Sequence, residues 1–260
     1  MNRRFAFTVD LDRDVNLPLK GEAAAGSLDR GLGTGPRFSS SEKGLGILLD
    51  LLDEIGIKAT FFVEGRTAET IDCSCLSGHC IGLHGYDHED LLAQDTGVPV
   101  DQKAVLTRGF EAVSDRISEP VCFRAPYMRA DEDTMSVISS LGIRHDSSVY
   151  RRMDEGYGTY QTHCGIVEHP VPKSRDSSGK VIAAYLWPMH EGKRSPEDYI
   201  RMAASAESGE FVLATHTWHM AESREDGPMS EERIVTNADN VRRVIGGILD
   251  EGFRPSTIAD

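Results

Sequence analysis

The chain has 260 residues, enough for one large α/β domain with a substantial core. Its 42 acidic against 28 basic side chains give a formal net charge of -14, which argues against nucleic acid or an anionic membrane surface as a main partner and fits neutral or cationic small molecules or glycans. Met1-Asn2-Arg3-Arg4 runs straight into an apolar segment and no stretch is apolar and long enough to span a bilayer, so a cytoplasmic enzyme without membrane insertion is expected.

Residues 4–11 read as the first strand: Phe5, Phe7, Val9 and Leu11 alternate with Ala6, Thr8, Asp10 and then Asp12. Residues 13–41 are rich in Gly, Ser, Pro and charge and form a long loop, a kind of segment that is often functional. Ser41 is positioned to cap a helix over about 42–55 that stops at Gly56, and Lys58 to Val63 is the next strand. Residues 80–84 give a strand ending at His84, and 101–117 an amphipathic helix. Val121-Cys122-Phe123 feeds Arg124-Ala125-Pro126-Tyr127; residues 131–141 are helical and lead to His145-Asp146. The pattern is poor over 150–195, with strands suggested near 165–169 and 181–186. A helix over 195–208, a strand from Glu210 to Thr215 ending at His216, a long helix over 231–250 and a closing strand over 253–258 complete the chain. There is no internal repeat and no linker, so residues 1–260 read as a single domain in which strands and helices alternate around a parallel sheet.

Two histidines four residues apart, His84 and His88, are the strongest chemical signal. One helical turn would bring both imidazoles to one point, as a divalent metal requires. Asp10 and Asp12 are two apart on a strand and converge on one side, where two carboxylates repel unless a cation lies beside them. Together these residues predict an Asp-His-His metal site, and three protein ligands with one open position is the catalytic pattern. Zinc suits the donor set best, although two imidazoles and a carboxylate also accept iron, cobalt, nickel or manganese. Asp10, Asp12, His84, Arg124, Asp146 and His216 each follow or end an apolar strand, and in parallel α/β architectures those ends gather on one face. Taken singly, Arg124 reads as a strand-end ion pair, Pro126-Tyr127 as a turn, and Asp146-Ser147-Ser148 as a helix cap. Five cysteines suit a reducing compartment; Cys73, Cys75 and Cys80 crowd beside His79, but the C-x-C-x4-C spacing lacks paired metal knuckles, so free thiols are expected.

In this order, Phe7-Thr8-Val9-Asp10-Leu11-Asp12, Ala59-Thr60-Phe61-Phe62-Val63, Gly82-Leu83-His84-Gly85-Tyr86-Asp87-His88, Phe123-Arg124-Ala125-Pro126-Tyr127, Asp146-Ser147-Ser148 and Leu213-Ala214-Thr215-His216-Thr217-Trp218 resemble the polysaccharide deacetylase family, also called carbohydrate esterase family 4 or the NodB homology domain. The first motif is the spaced D-x-D variant, where adjacent acids are commoner. The resemblance implies a distorted (β/α)7-type barrel and hydrolysis of an N-acyl amide by metal-activated water. It implies Asp12, His84 and His88 as metal ligands, Asp10 as general base, Arg124 as the group that orients and charge-balances Asp10, and His216 as general acid. It further implies an oxyanion donor in the backbone N–H of Tyr127 and a substrate pocket involving Pro126, Tyr127, Asp146 and Trp218. The tryptophan that usually accompanies the motif around Asp146 is absent, which leaves the partner of His216 undefined.

The function expected is therefore a metal-dependent hydrolase that removes an N-acetyl group from an amino sugar or glycan. A deformylase, or a hydrolase of a cyclic or linear amide acting on a small cytoplasmic substrate, is the alternative on the same fold. A non-catalytic binding module would lack a group such as Asp10 or His216, and both are present. The substrate is a small molecule or oligosaccharide; a homo-oligomer is not derivable from the sequence.

Overall fold

The structure is a computed structural model that describes residues 3–14, 36–94, 97–176 and 178–260. Most of the loop expected over 13–41 thus lies outside the described residues.

In chain order the elements are β1 (Arg3–Leu11), α1 (Ser39–Ile55), β2 (Thr60–Val63), α2 (Gly65–Thr70), β3 (Cys80–Leu83), α3 (Gln102–Arg116), β4 (Cys122–Phe123), α4 (Glu132–Ser140), β5 (His145–Asp146), β6 (Tyr150–Arg152), β7 (Tyr160–Gln161), β8 (Val167–Glu168), β9 (Val171–Arg175), β10 (Val181–Ala183), α5 (Trp187–His190), α6 (Pro196–Ala204), β11 (Gly209–His216), β12 (Glu222–Ser223), β13 (Gly227–Pro228), α7 (Glu231–Asp250) and β14 (Arg254–Ser256). The main sheet runs β11-β1-β2-β3-β4-β5-β8-β7, with β14 against the first half of β1 and β2 against the second. All its pairings are parallel except β7 with β8. A smaller sheet, β10-β9-β6, lies beyond β11. Tyr185 makes a parallel bridge to Ala214, and Ala184 donates its N–H to the Pro172 carbonyl at 2.8 Å. The expected distorted barrel is thus a curled sheet extended by short strands.

β1 is the centre of the molecule. Parallel neighbours pair both of its edges, and its side chains are buried on both faces. Phe5, Phe7, Val9 and Leu11 join the core, and each such side chain removed from water contributes about 1.5–3 kcal/mol. The alternate face holds Thr8, whose hydroxyl satisfies itself by donating to the Leu213 carbonyl at 3.0 Å. At β3, Gly82 is required by packing: a Cβ there would stand 2.5 Å from the Phe62 ring and 2.8 Å from the Cys122 sulfur.

The starts of α3 and α4 follow local chemistry, and that of α1 does not. Asp101 caps α3 by accepting from Ala104 N–H at 3.0 Å, and Asp131 with Thr134 forms a capping box on α4. Ser41 does not cap α1. The helix starts two residues earlier, and Asp14, remote in sequence, accepts from the N–H groups of Ser40 (3.0 Å) and Ser41 (2.7 Å). The Ser41 hydroxyl instead donates to the Asp12 carbonyl at 2.5 Å, so a tertiary contact has displaced the local cap. Asp146 is likewise no helix cap: it is a fully buried strand residue. Among the described residues no helix is long and apolar enough to cross a membrane.

Candidate metal centre and catalytic pair

The C-terminal strand ends meet as expected. β1 carries Asp10 and leads into Asp12, β3 into His84, β4 into Arg124, β5 holds Asp146, and β11 ends on His216. Asp10 and His216 are direct register partners across β1 and β11.

Asp12, His84 and His88 are all buried, and one donor atom from each lies within 4.8 Å of the others. His88 Nε2 is 3.3 Å and His84 Nε2 3.9 Å from Asp12 Oδ2. The His84 Nδ1 is 2.7 Å from the Arg124 carbonyl, which makes Nδ1 the donor and turns the Nε2 lone pair toward Asp12. This donor set, oriented by a carbonyl behind it, fits a divalent metal. The two histidines do not share a helical turn. His84 follows the strand, and the chain reverses through Gly85 (φ +72°) so that His88, itself left-handed at φ +52°, returns toward Asp12. Gly85 answers two demands there, a positive φ and close contact: a Cβ would stand 2.9 Å from a Glu89 oxygen and 3.2 Å from Pro126. The Glu89 carboxylate holds the reversal by accepting from the N–H groups of Tyr86 (3.1 Å) and Asp87 (2.8 Å).

A brace that the sequence does not advertise fastens this loop. Arg13, next to Asp12, donates from Nε to Glu64 at 2.8 Å and pairs with Asp87, which lies between the two histidines. Arg66 also donates to Asp87 at 2.9 Å, and Thr67 to Glu64 at 2.5 Å. The chain segments that carry the carboxylate and both imidazoles are thus tied through one network.

Asp10 lies 2% exposed beside this cluster. The fully buried Arg124 donates from Nη1 to Asp10 Oδ1 at 2.9 Å, while its Nε and Nη2 are taken by the Ser147 carbonyl (3.0 Å) and hydroxyl (2.9 Å). A guanidinium with every nitrogen directed in this way is a fixed counter-charge for a buried carboxylate. His216 Nε2 is 3.9 Å from Asp10 Oδ2, and its ring packs against Trp218 at 5.0 Å between centroids. Trp218 is 1% exposed and stacks on His219 at 4.2 Å, so it backs the histidine. His219 donates from Nε2 to Glu191 at 2.7 Å. Burial outweighs Glu191 and holds the His219 imidazole down to about 4. Burial would raise the Glu191 carboxyl, but its bonds to His219, Ser223 and the Arg224 N–H prevail and hold it at about 2.

Sequence reasoning missed Tyr185, whose hydroxyl donates to Asp10 Oδ2 at 2.5 Å and lies 3.0 Å from His216 Nε2. Its signal was available: it sits at the end of the strand suggested over 181–186, the rule that located the other six residues.

Pro126 and Tyr127 form a tight turn after Arg124 in which Tyr127 and Met128 are left-handed, at φ +60° and +57°. The Tyr127 ring meets the His88 ring edge-on at 4.5 Å. Asp146 accepts from Ser148 at 2.6 Å, and Ser148 also accepts from the Ala125 N–H at 2.8 Å, which ties the turn to β5. Burial raises the Asp146 carboxyl, and burial together with the nearby Asp146 charge pushes Glu168 well above the usual carboxylate range. They floor a cleft of about 690 Å³ with Ser148, Tyr150 and Tyr160. The cysteines are free thiols; Cys73 is buried and Cys75 exposed, and among the described residues Asp12, His84 and His88 are the one cluster arranged to hold a metal.

Residues 39–145 match the sequence model of the family described as polysaccharide deacetylase. That segment contains His84, His88, Arg124, Pro126 and Tyr127 but not Asp10, Asp12 or His216. A peptidoglycan deacetylase-like protein of Gibberella zeae is 37% identical over 113 residues, 41% of this chain and 32% of that protein. A peptidoglycan deacetylase of Helicobacter pylori is 28% identical over 151 residues, 55% of this chain and 48% of that protein. The matches thus span a third to a half of those relatives' length. A solved structure from Mycobacterium smegmatis, assigned to the polysaccharide deacetylases, superposes with a TM-score of 0.59 at 24% identity, covering 98% of this chain and 93% of the other; it agrees in fold.

Proposed function

We propose, for a chain whose residues 39–145 match the family model described as polysaccharide deacetylase, that it is a metal-dependent hydrolase that removes an N-acetyl group from an amino sugar or glycan. The observation that carries the reading is the juxtaposition of two sets: Asp12, His84 and His88 with donor atoms within 4.8 Å of one another, and beside them Asp10 with His216, Nε2 to Oδ2 at 3.9 Å.

Asp12, His84 and His88 would hold the metal, and zinc suits them best. When bound, a divalent cation supplies Lewis acidity toward an acyl oxygen and toward water at neutral pH. Asp10 accepts the proton of the attacking water, its carboxylate held in place by Arg124. The resemblance of Arg124-Ala125-Pro126-Tyr127 to the deacetylase motif supports the Tyr127 backbone N–H as donor to the acyl oxygen as charge builds there. An amine leaves poorly unless protonated, and His216 delivers that proton. The cleft next to Asp146, lined by Tyr150, Tyr160 and Gln161, offers hydroxyl-binding groups to the sugar.

The same site can cleave a formamide or another small amide, which keeps a deformylase as the second reading. Metal content, measured with acetate and formate release from a panel of N-acyl sugars before and after chelation, separates the two. Chelator-sensitive acetate release is expected; formate release alone moves the assignment to the deformylase, and chelator-insensitive turnover removes the metal from the reaction.

A further inference from the structure

We infer that Tyr185 is the positioning residue of the proton-transfer pair: its hydroxyl joins Asp10 and His216 in one hydrogen-bonded chain and determines which nitrogen of His216 carries the proton. The inference rests on the proposed hydrolase reading and supplies the partner of His216 that the sequence motifs leave undefined.

The backbone places the phenol by construction. Tyr185 makes a parallel bridge to Ala214, two residues before His216 on the same strand. Leu186 N–H donates to the Ala214 carbonyl at 2.8 Å, and Ala214 N–H to the Ala184 carbonyl at 2.9 Å. The Tyr199 hydroxyl donates to the Tyr185 carbonyl at 3.0 Å. Asp10 faces His216 across β1 and β11, so Asp10, His216 and Tyr185 end three successive parallel segments.

Proton counting gives the direction of each bond. A phenol has one proton and a carboxylate only accepts, so the 2.5 Å contact is Tyr185 O–H donating to Asp10 Oδ2. Burial, and then the charge of Asp10, push the phenol well above its ordinary value, so it keeps that proton. Its oxygen is left to accept, and its nearest other partner is His216 Nε2 at 3.0 Å, against 3.5 Å for Nδ1. Nε2 is therefore the protonated nitrogen.

Two consequences follow. Asp10 has a donor on each oxygen, Arg124 on Oδ1 and Tyr185 on Oδ2, which fixes its rotamer. His216 is turned so that its proton-bearing nitrogen faces Asp10, with Trp218 behind the ring limiting rotation. Acid and base thereby address the same reacting group.

The test is Tyr185→Phe in the zinc-loaded protein, which keeps the ring and removes the hydroxyl. With N-acetylglucosamine oligomers as substrate, kcat is expected to fall by about tenfold or more, with KM within about twofold and zinc stoichiometry unchanged. Long-range 1H–15N spectra of the imidazoles are expected to give an Nε2-protonated His216 in the wild type and a tautomer mixture in the variant. A variant with unchanged kcat and an unchanged His216 signal overturns the inference, as does a kcat loss accompanied by loss of zinc, which marks a structural role. Should the wild type release no acyl group from any substrate, the hydrolase reading fails on its own, and the His216 spectra still decide: an unaltered signal rejects the role of Tyr185, and an altered one retains it.

Discussion

Two regions of the molecule use the same residue types to opposite ends. At the strand ends, Asp12, His84 and His88 turn their donor atoms toward one shared point, and Asp10 and His216 face each other beside it. Between β5, β8 and the start of β11, His169 pairs through Nδ1 with Glu210 and through Nε2, at 3.0 Å, with His145, while Glu210 also meets Arg4 at 3.2 Å. In that second cluster both ring nitrogens of His169 are spent on neighbours, so it closes on itself and ties strands together. Buried histidines and carboxylates are therefore not in themselves a site; what separates function from structure is whether their polar atoms converge on a common position or satisfy one another.

The comparison can be broken most forcefully at the metal ligands. His84→Ala is expected to lose both bound metal and turnover, measured by metal analysis and acetate release; retained activity without metal would abolish the distinction. Asp10→Asn is expected to keep its metal while kcat falls by about 10²–10⁴-fold, since only the proton acceptor is removed. His216→Ala should lower amide turnover by about 10²-fold. Its effect on an aryl acetate should be smaller, because that leaving group departs without a proton; equal losses on both substrates would argue against the acid role.

The smaller effects concern stability. His219 is held at about 4, below its ordinary 6.5, so the folded state binds its proton less readily than the unfolded chain. The stabilisation is complete above 6.5 and lost as pH falls toward 4; Glu191, held at about 2 against an ordinary 4.5, extends the loss below 4.5. Melting temperature should fall across that window, and less steeply in His219→Gln. At the closed cluster, His169→Gln is expected to cost about 1–3 kcal/mol of stability by denaturant titration, with kcat within about twofold of wild type. A large kcat loss there at unchanged stability would show that the second cluster is more than structural.

The sequence made legible what periodicity and strand ends encode. The order of strands and helices from Phe5 to Val63 and from Glu210 to Ser256 follows from apolar patterning, and Asp10, Asp12, His84, Arg124, Asp146 and His216 were located because each ends a strand. What escaped depends on tertiary contact. The path from His84 to His88 is a left-handed reversal rather than a helical turn, because Gly85 and the Glu89 carboxylate stabilise a shape that spacing cannot reveal. The cap of α1 comes from Asp14, remote in sequence, and the Arg13–Glu64–Asp87 brace joins three segments. Over 150–195 the strands are two to five residues long, too short for a period to register, and there Tyr185 went unnoticed.

The most direct test of the central claim is the stoichiometry of activity restoration. The protein is stripped with a chelator, titrated with zinc, and assayed for acetate release in parallel with Asp12→Asn. The account predicts that wild-type activity rises linearly and saturates at about one zinc per chain, as one three-residue site requires, while Asp12→Asn neither retains the metal nor recovers. Full turnover by the stripped wild-type protein, or normal zinc-dependent turnover in Asp12→Asn, would contradict it.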